Sequence, residues 1–210
     1  MSALPWTLYE SALESGGALT ARHADGLTQS LAIHQWLADA DPVDERLVGR
    51  ARGPVLDIGC GPGRHVSALV RRGIAALGVD ASPIAVRLAS ARGAAAVQGD
   101  VFTHGLELGV WGTVLLLDGN LGIGGDPVAL LRRTSEFLTA DGAVLVETDA
   151  PGTGLQPLPV RLERGEDVSH WFPWARVAHD RIADVARDAG LRLTDRWTDE
   201  GRYFAELQWV

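Results

Sequence analysis

The sequence predicts an α/β protein built on a doubly wound, mostly parallel sheet of seven strands with an antiparallel last strand. Two observations point there, and a third refines it. From residue 54 onward, apolar β-branched runs alternate with segments of helical periodicity. A turn rich in glycine follows the first of these runs directly. The final two extended segments are separated only by Thr198–Gly201, too little chain for a parallel crossover, so they pair as an antiparallel hairpin.

Taken in order, residues 1–50 precede the first strand of the sheet. "DGLTQSLAIHQWLAD" (25–39) and "DPVDERLVGRA" (41–51) read as helices there, an N-terminal helical lid rather than a second domain, because no linker composition separates them. "PVLDIG" (54–59) is a strand, and "GRHVSALVRRG" (63–73) is a helix stopped by Gly73. "IAALGVD" (74–80) is the second strand, and "SPIAVRLASARG" (82–93) a helix with Ser82 as N-cap and Pro83 at its first position. Strands follow at 94–100 and 112–118, then a helix over 126–142 capped by Asp126, and a fifth strand at 143–149. A Pro/Gly-rich loop is expected over 150–165, a helix over 175–190, and the hairpin strands at 191–197 and 202–210. The reading is a single domain over 1–210, with residues 1–50 as appendage and 51–210 as core.

Composition narrows the function. With 46% hydrophobic and 22% charged residues, the chain is an ordinary globular one. Its 19 basic residues are all arginine and its net charge is −8, so nucleic acid is not an expected partner. No apolar run reaches the roughly 18 residues of a membrane span, so no membrane partner is expected. The N-terminal residues lack the basic start and apolar stretch of a signal peptide, and a single cysteine excludes an internal disulfide framework. The expected location is cytoplasmic. The six histidines (His23, His34, His65, His104, His170, His179) show no metal-ligand spacing, and no metal is expected.

The turn "GCGPG" carries the chemistry. Its glycines, Gly59, Gly61 and Gly63, are spaced G-x-G-x-G with Arg64 next, unlike the G-x-G-x-x-G of a dinucleotide fingerprint, and no G-K-[ST] is present to grip a phosphate. Asp57 ahead of it would repel a pyrophosphate but suits a ligand with an ammonium group. "VLDIGCGPGRH" thereby resembles the first motif of S-adenosylmethionine-dependent methyltransferases of the Rossmann-like, class I type. "LGVDASPIAVRLA" (77–89), "AAVQGDVF" (95–102) and "LLLDGN" (115–120) are similar to that family's later motifs, in the same order.

The resemblance implies a methyl transfer from S-adenosyl-L-methionine, with S-adenosyl-L-homocysteine as product. It places Asp57, Gly59, Cys60, Gly61 and Gly63 under the methionine part. Asp80 and Ala81 fall at the ribose, Asp100 and Val101 at the adenine, and Asp118 beside the methionine part or the acceptor. Cys60 reads as a small residue of the loop rather than a nucleophile, and His65 as a packed or hydrogen-bonded residue.

No catalytic residue is fixed by the pattern; the candidates are Asp118, Asn120, His170 and Tyr9. Asp118-Gly119-Asn120 departs from the Asn/Asp-Pro-Pro-aromatic run of relatives that methylate amide or amino nitrogens, which argues against a nucleobase acceptor. Glu147 and Asp149 end the fifth strand, where they either face the same mouth or cap the next turn. The aromatic stretch "SHWFPW" (169–174) and the aromatics Trp6, Tyr9 and Trp36 are candidates for an acceptor pocket, with His34 beside them. The expected acceptor is a small organic molecule. A protein or RNA methyltransferase and a non-catalytic cofactor-binding protein stay as alternatives, and the oligomeric state is open.

Overall fold

The computed structural model describes residues 3–210. In chain order the elements are α1 (Pro5–Ser15), β1 (Thr20–His23), β2 (Thr28–Ser30), α2 (Ile33–Leu37), α3 (Pro42–Val48), β3 (Val55–Ile58), α4 (Arg64–Arg71), β4 (Ala76–Asp80), α5 (Pro83–Ala91) and β5 (Ala96–Gln98). They continue with β6 (Trp111–Leu116), α6 (Pro127–Ser135), β7 (Leu138–Thr148), β8 (Leu155–Pro157), β9 (Val160–Arg164), β10 (Asp167–Val168), β11 (Ala175–Val177), α7 (Ile182–Asp188), β12 (Leu191–Asp199) and β13 (Arg202–Trp209). A short 3-10 segment, Asn120–Gly125, links β6 to α6.

The main sheet has seven strands in the order β12-β13-β7-β6-β3-β4-β5. Only β13 runs against the rest, pairing antiparallel with both β7 and β12. Its central strands are largely apolar because helices cover both faces, with Asp57 of β3 and Thr113 of β6 as buried polar exceptions. Val55, Leu56, Val114, Leu115, Leu116, Val144 and Val146 are fully buried. One face packs on α6 and α7 through Leu130, Leu131, Ile182 and Val185, and the other on α3 and α4 through Val43, Leu47 and Leu69. Burying each such side chain contributes about 1.5–3 kcal/mol.

A second, four-stranded sheet, β10-β9-β1-β2, forms a cap with its own small core of Leu8, Ala12, Leu19, Ile33, Val160 and Leu162. It joins the N-terminal hairpin to the segment after β7 by antiparallel pairing of β1 with β9.

Four expectations are corrected, two of them by a separate pair of antiparallel strands, β8 and β11. Helices α1 to α3 are present, but the helix expected over 25–39 is a strand, Thr28–Ser30, followed by the short α2. The loop expected over 150–165 holds β8 and β9. The helix expected over 175–190 begins only at Ile182. Before it, Ala175 and Val177 are buried with Arg176 between them, which is the alternation of a strand. Similarly, α6 ends at Ser135 and β7 starts at Leu138, because Leu138 pairs with Trp111 ahead of a register shift.

Candidate active site

The carboxyl ends of β3, β4, β6 and β7 open into one cleft of about 810 Å³, roofed by α1 and the cap sheet. An open parallel sheet binds its ligands at this end.

The glycine turn is shaped by close approach. Gly59 has φ +70°, and a Cβ there would sit 2.6 Å from the Asn120 amide, which donates to the carbonyls of Ile58 and Gly59 at 2.9 Å each. Asn120 is therefore the clamp that fixes the turn to the end of β6. Gly63 points the other way: a Cβ there would meet the Cβ atoms of Ala89 and Ala94 at 2.8 and 2.9 Å, so this glycine lets α4 approach α5. Gly61 opens on the cleft near the Tyr9 hydroxyl.

Asp80 ends β4 and accepts from the N–H groups of Gly61 (2.8 Å) and Ser82 (2.9 Å). Each bond takes one lone-pair site, and a carboxylate has about four, so the cleft side keeps acceptor capacity. Burial raises the Asp80 carboxyl above its usual range, opposed by those two N–H groups. Ser82 in turn caps α5 by accepting from Ala85 and donates to Glu10 of α1, which ties the roof to the turn between β4 and α5.

Beyond Asp80, Ala81, Asp100, Val101, Phe102, Ile123 and Gly124 bound a flatter part of the cleft. Asp100 is exposed and accepts from the N–H of Phe102, which makes it the cap of this turn as well as part of the cleft wall.

Beneath the turn lies a buried ionic network. Arg64, 2% exposed, donates to both oxygens of Asp118 at 2.8 Å and stands 3.0 Å from Asp44, which is 0% exposed. Arg202 of β13 spans Glu147 (2.8 and 2.9 Å) and Asp44 (2.8 Å), while Glu147 accepts from the backbone N–H of Asp118. Asp118 has φ +55°, a conformation costly for a residue with a side chain. Its two charge-assisted partners hold it there.

His65 lies between Asp44 (3.3 Å) and Asp57 (3.8 Å). Burial works against its charge, but Asp44, Asp57 and Asp118 together leave its pKa above the ordinary value. Burial, aided by Asp118 and Asp80 and opposed by His65 and Arg64, pushes the Asp57 carboxyl up to about 6. Asp44 goes the other way: burial opposes its charge, yet His65, Arg202 and Arg64 hold it well below the carboxylate range. Cys60 is buried against Gly78, and burial drives its thiol far above its usual range, so it is no nucleophile at neutral pH.

The structure thus brings Gly59, Cys60, Gly61, Asp80, Ala81, Asp100, Val101, Asp118, Asn120 and Tyr9 onto one cleft. Asp57 and Gly63 lie behind its wall rather than on it. His170 and His34 are exposed and outside it; His170 sits on the outer side of the cap, where its N–H donates to Ala3. Sequence reasoning missed Asp44, Arg64 and Arg202 as members of the network, and it missed His23 on the roof. Arg64 had a signal, as the charged residue closing the glycine turn; Arg202 had none.

Residues 55–142, from β3 into β7, match a family described as a methyltransferase domain. Over that stretch, which includes the glycine turn and the acids ending β3 and β4, the chain is similar to methyltransferase domains. No curated protein sequence matches the chain. Among solved structures, it is similar to an S-adenosylmethionine-dependent methyltransferase from Bacteroides fragilis in complex with S-adenosyl-L-homocysteine. The TM-score is 0.80 at 21% identity, covering 98% of this chain and 94% of that one. The CcbJ methyltransferase from Streptomyces caelestis superposes with a TM-score of 0.61 at 16% identity, covering 83% and 92%. The glycopeptide N-methyltransferase MtfA, complexed with S-adenosyl-L-homocysteine, gives 0.60 at 18% identity, covering 82% and 88%. These likenesses share the sheet of the methyltransferase domain, and the first extends over the cap as well. Among the described residues no helix is long and apolar enough to cross a membrane.

Proposed function

We propose that the chain transfers a methyl group from S-adenosyl-L-methionine to a small organic acceptor. One observation carries the reading: the glycine turn, the Asp80 carboxylate and the Asp118–Asn120 turn converge on one side of a cleft whose other side is apolar and aromatic. The residues fit that cofactor. The turn is held open where a Cβ would collide, Asp80 keeps free lone pairs for a diol, and the Phe102 side offers a slot for a flat ring. In this reading Gly59, Cys60 and Gly61 lie under the methionine part, with the Asp118 carboxylate for its ammonium. Asp80 and Ala81 take the ribose, and Asp100 and Val101 flank the adenine. Asp57 and Gly63 act from behind, through His65 and through α4–α5 packing.

The cofactor supplies a methyl group on a positively charged sulfur, already activated for displacement. What the chain adds is alignment and exclusion of water, and alignment alone can remove several kcal/mol of the barrier. Tyr9, half-buried on α1 with its ring edge against Trp36, closes the roof over Gly61. Burial, followed by Asp80, raises the Tyr9 hydroxyl well above its usual range, so it stays protonated and serves as a donor or a wall. Phe172 and Trp174 pack edge to face on the far side, and Gly122 lets the turn after β6 pass against Trp174 and the Ala175 carbonyl.

A cleft closed by a four-stranded cap favours a small acceptor over a polymer, and the net charge of −8 argues against RNA. We place the protein in the cytoplasm on its single, buried cysteine.

Titration calorimetry with S-adenosyl-L-homocysteine tests the cofactor. Asp80→Ala is expected to weaken binding by roughly 10–150-fold, the worth of a charge-assisted contact of about 1.5–3 kcal/mol. Unchanged affinity in that variant, or no binding by the unaltered protein, would overturn the assignment.

A further inference from the structure

The roof of the cleft has chemistry of its own. In β1 the side chains alternate, with Ala21 and His23 facing inward and Thr20 and Arg22 outward. Register sets Ala21 beside Gln29 and Leu162, and His23 beside Val160, so these residues share one face. All of them line the cleft. On the other face Arg22 is spent on Glu163, at 2.7 and 3.1 Å.

His23 is 2% exposed, and among the described residues neither ring nitrogen has a partner in good hydrogen-bond geometry, the Gln29 amide being its nearest polar neighbour on β2. A buried polar group left unpaired costs about 1–3 kcal/mol. A histidine in that state inside a ligand cleft is one whose partner arrives with the ligand. The groups around it are Arg176 of β11, Asp149 at the end of β7, Asp25 of the β1–β2 turn and the Gln29 amide. Burial and then Arg176 hold the ring below its ordinary pKa, outweighing Asp25, Gln29 and Asp149. It is therefore neutral at neutral pH, with one nitrogen lone pair to offer.

The lining of the same cleft also supplies flat apolar rings, Trp6, Trp36, Phe172 and Trp174. Arg176, anchored through Nε and Nη2 to Asp149 at 3.0 and 2.7 Å, disfavours a cationic acceptor beside His23 and favours developing negative charge.

We propose that His23 is the general base of the transfer and that the acceptor is a planar, hydroxylated aromatic compound of the phenol class. The inference rests on the methyltransferase reading above. The acceptor hydroxyl donates to the free nitrogen of His23. Its oxygen lone pair forms the new bond to the methyl carbon while the carbon–sulfur bond breaks, its electron pair staying on sulfur. The hydroxyl proton passes to His23, and the imidazolium then loses it to water. Methyl ether, thioether and one released proton balance the step. Arg176 stabilises the oxygen as it becomes phenolate-like, and acts as a positioning residue for His23 through its charge.

The test uses the full chain and 4-methylphenol, an unactivated phenol that keeps its proton at neutral pH. Calorimetry of the S-adenosyl-L-homocysteine complex with 4-methylphenol reads binding, and chromatography of S-adenosyl-L-homocysteine formed from S-adenosyl-L-methionine reads turnover. His23→Gln keeps a hydrogen-bonding side chain of similar reach but cannot take the proton. It is expected to bind S-adenosyl-L-homocysteine as the unaltered protein does, to bind 4-methylphenol within a few-fold, and to methylate it at least ~100-fold more slowly. The limb of the rate–pH profile that rises through the depressed imidazole pKa is expected to vanish. Equal rates in the two proteins overturn His23 as base. Failure of the unaltered complex to bind or methylate 4-methylphenol overturns the acceptor class. Absence of S-adenosyl-L-homocysteine binding in the unaltered protein marks failure of the underlying function instead.

Discussion

The two walls of the cleft are built on opposite rules. On the sheet side nearly every charge has been matched inside the protein: Arg64 with Asp44 and Asp118, Arg202 with Glu147 and Asp44, Asp80 with two backbone N–H groups. On the cap side the walls carry aromatic rings, and among the described residues no group meets either nitrogen of the buried His23 ring in good hydrogen-bond geometry. A wall that must hold one invariant ligand is served by groups locked in place before the ligand arrives. A wall that selects an acceptor instead leaves capacity open, so that the wrong molecule strands a buried polar group.

That contrast breaks first at Arg64. Replacing it by methionine keeps the volume but leaves Asp44 and Asp118 buried without their shared cation, an arrangement that costs about 3–5 kcal/mol. Chemical denaturation of Arg64→Met is expected to show a loss of that size, together with loss of S-adenosyl-L-homocysteine binding. A change within 1 kcal/mol would mean that the network is ornamental to the sheet wall.

Leu162→Ala probes the other wall. Leu162 is 6% exposed in the small core of the cap, and truncation costs about 2–3 kcal/mol at such a site. Because the cap core is separate from the two cores of the main sheet, amide exchange is expected to accelerate in β1 and β9 but not in β3 or β6. Uniform acceleration would show the two walls to be one cooperative unit.

The smallest effect is electrostatic. His65 has a folded pKa above 6.5, so the stability it contributes is complete below 6.5 and is lost as pH rises through the folded value. Asp57 acts with the same sign at lower pH: raised to about 6, it favours the folded state below 3.8 and loses that contribution as pH rises through 6. Asp44, with its lowered pKa, opposes both, contributing stability above 3.8 that is lost on acidification. Denaturation midpoints are expected to fall gently as pH increases above 6.5, and His65→Gln to flatten that slope. A slope unchanged in the variant would assign it elsewhere.

Sequence and structure agree on the sheet wall for a physical reason. Its determinants are local: a strand, a glycine turn and a helix within residues 54–73, then acids ending successive strands. Spacing alone is enough to read such a unit. Asp57 shows the limit, since the pattern places it near the ligand while the fold turns it toward His65 and leaves it behind the wall.

The cap was illegible because its sheet joins residues 20–30 to residues 160–168, and neither strand is stable or recognisable alone. In "TARH" the alternation is only four residues long, and its one ring with an open lone pair was one histidine among six. Arg202 was hidden for the same reason: nothing near it in sequence asks for a cation, and its demand comes from Asp44 and Glu147.

The position of β13 has a bearing on how the protein is made. That strand lies between β7 and β12 but leaves the ribosome after both, and it brings the guanidinium that Asp44 and Glu147 share. Until then the nascent chain holds an unfilled slot in its sheet and carboxylates repelling one another at the future floor of the cleft. Domains commonly begin folding from the N-terminal side during synthesis. Here the floor of the cleft is complete only when the last strand is seated, because β13 makes both of its pairings and delivers Arg202 in the same position.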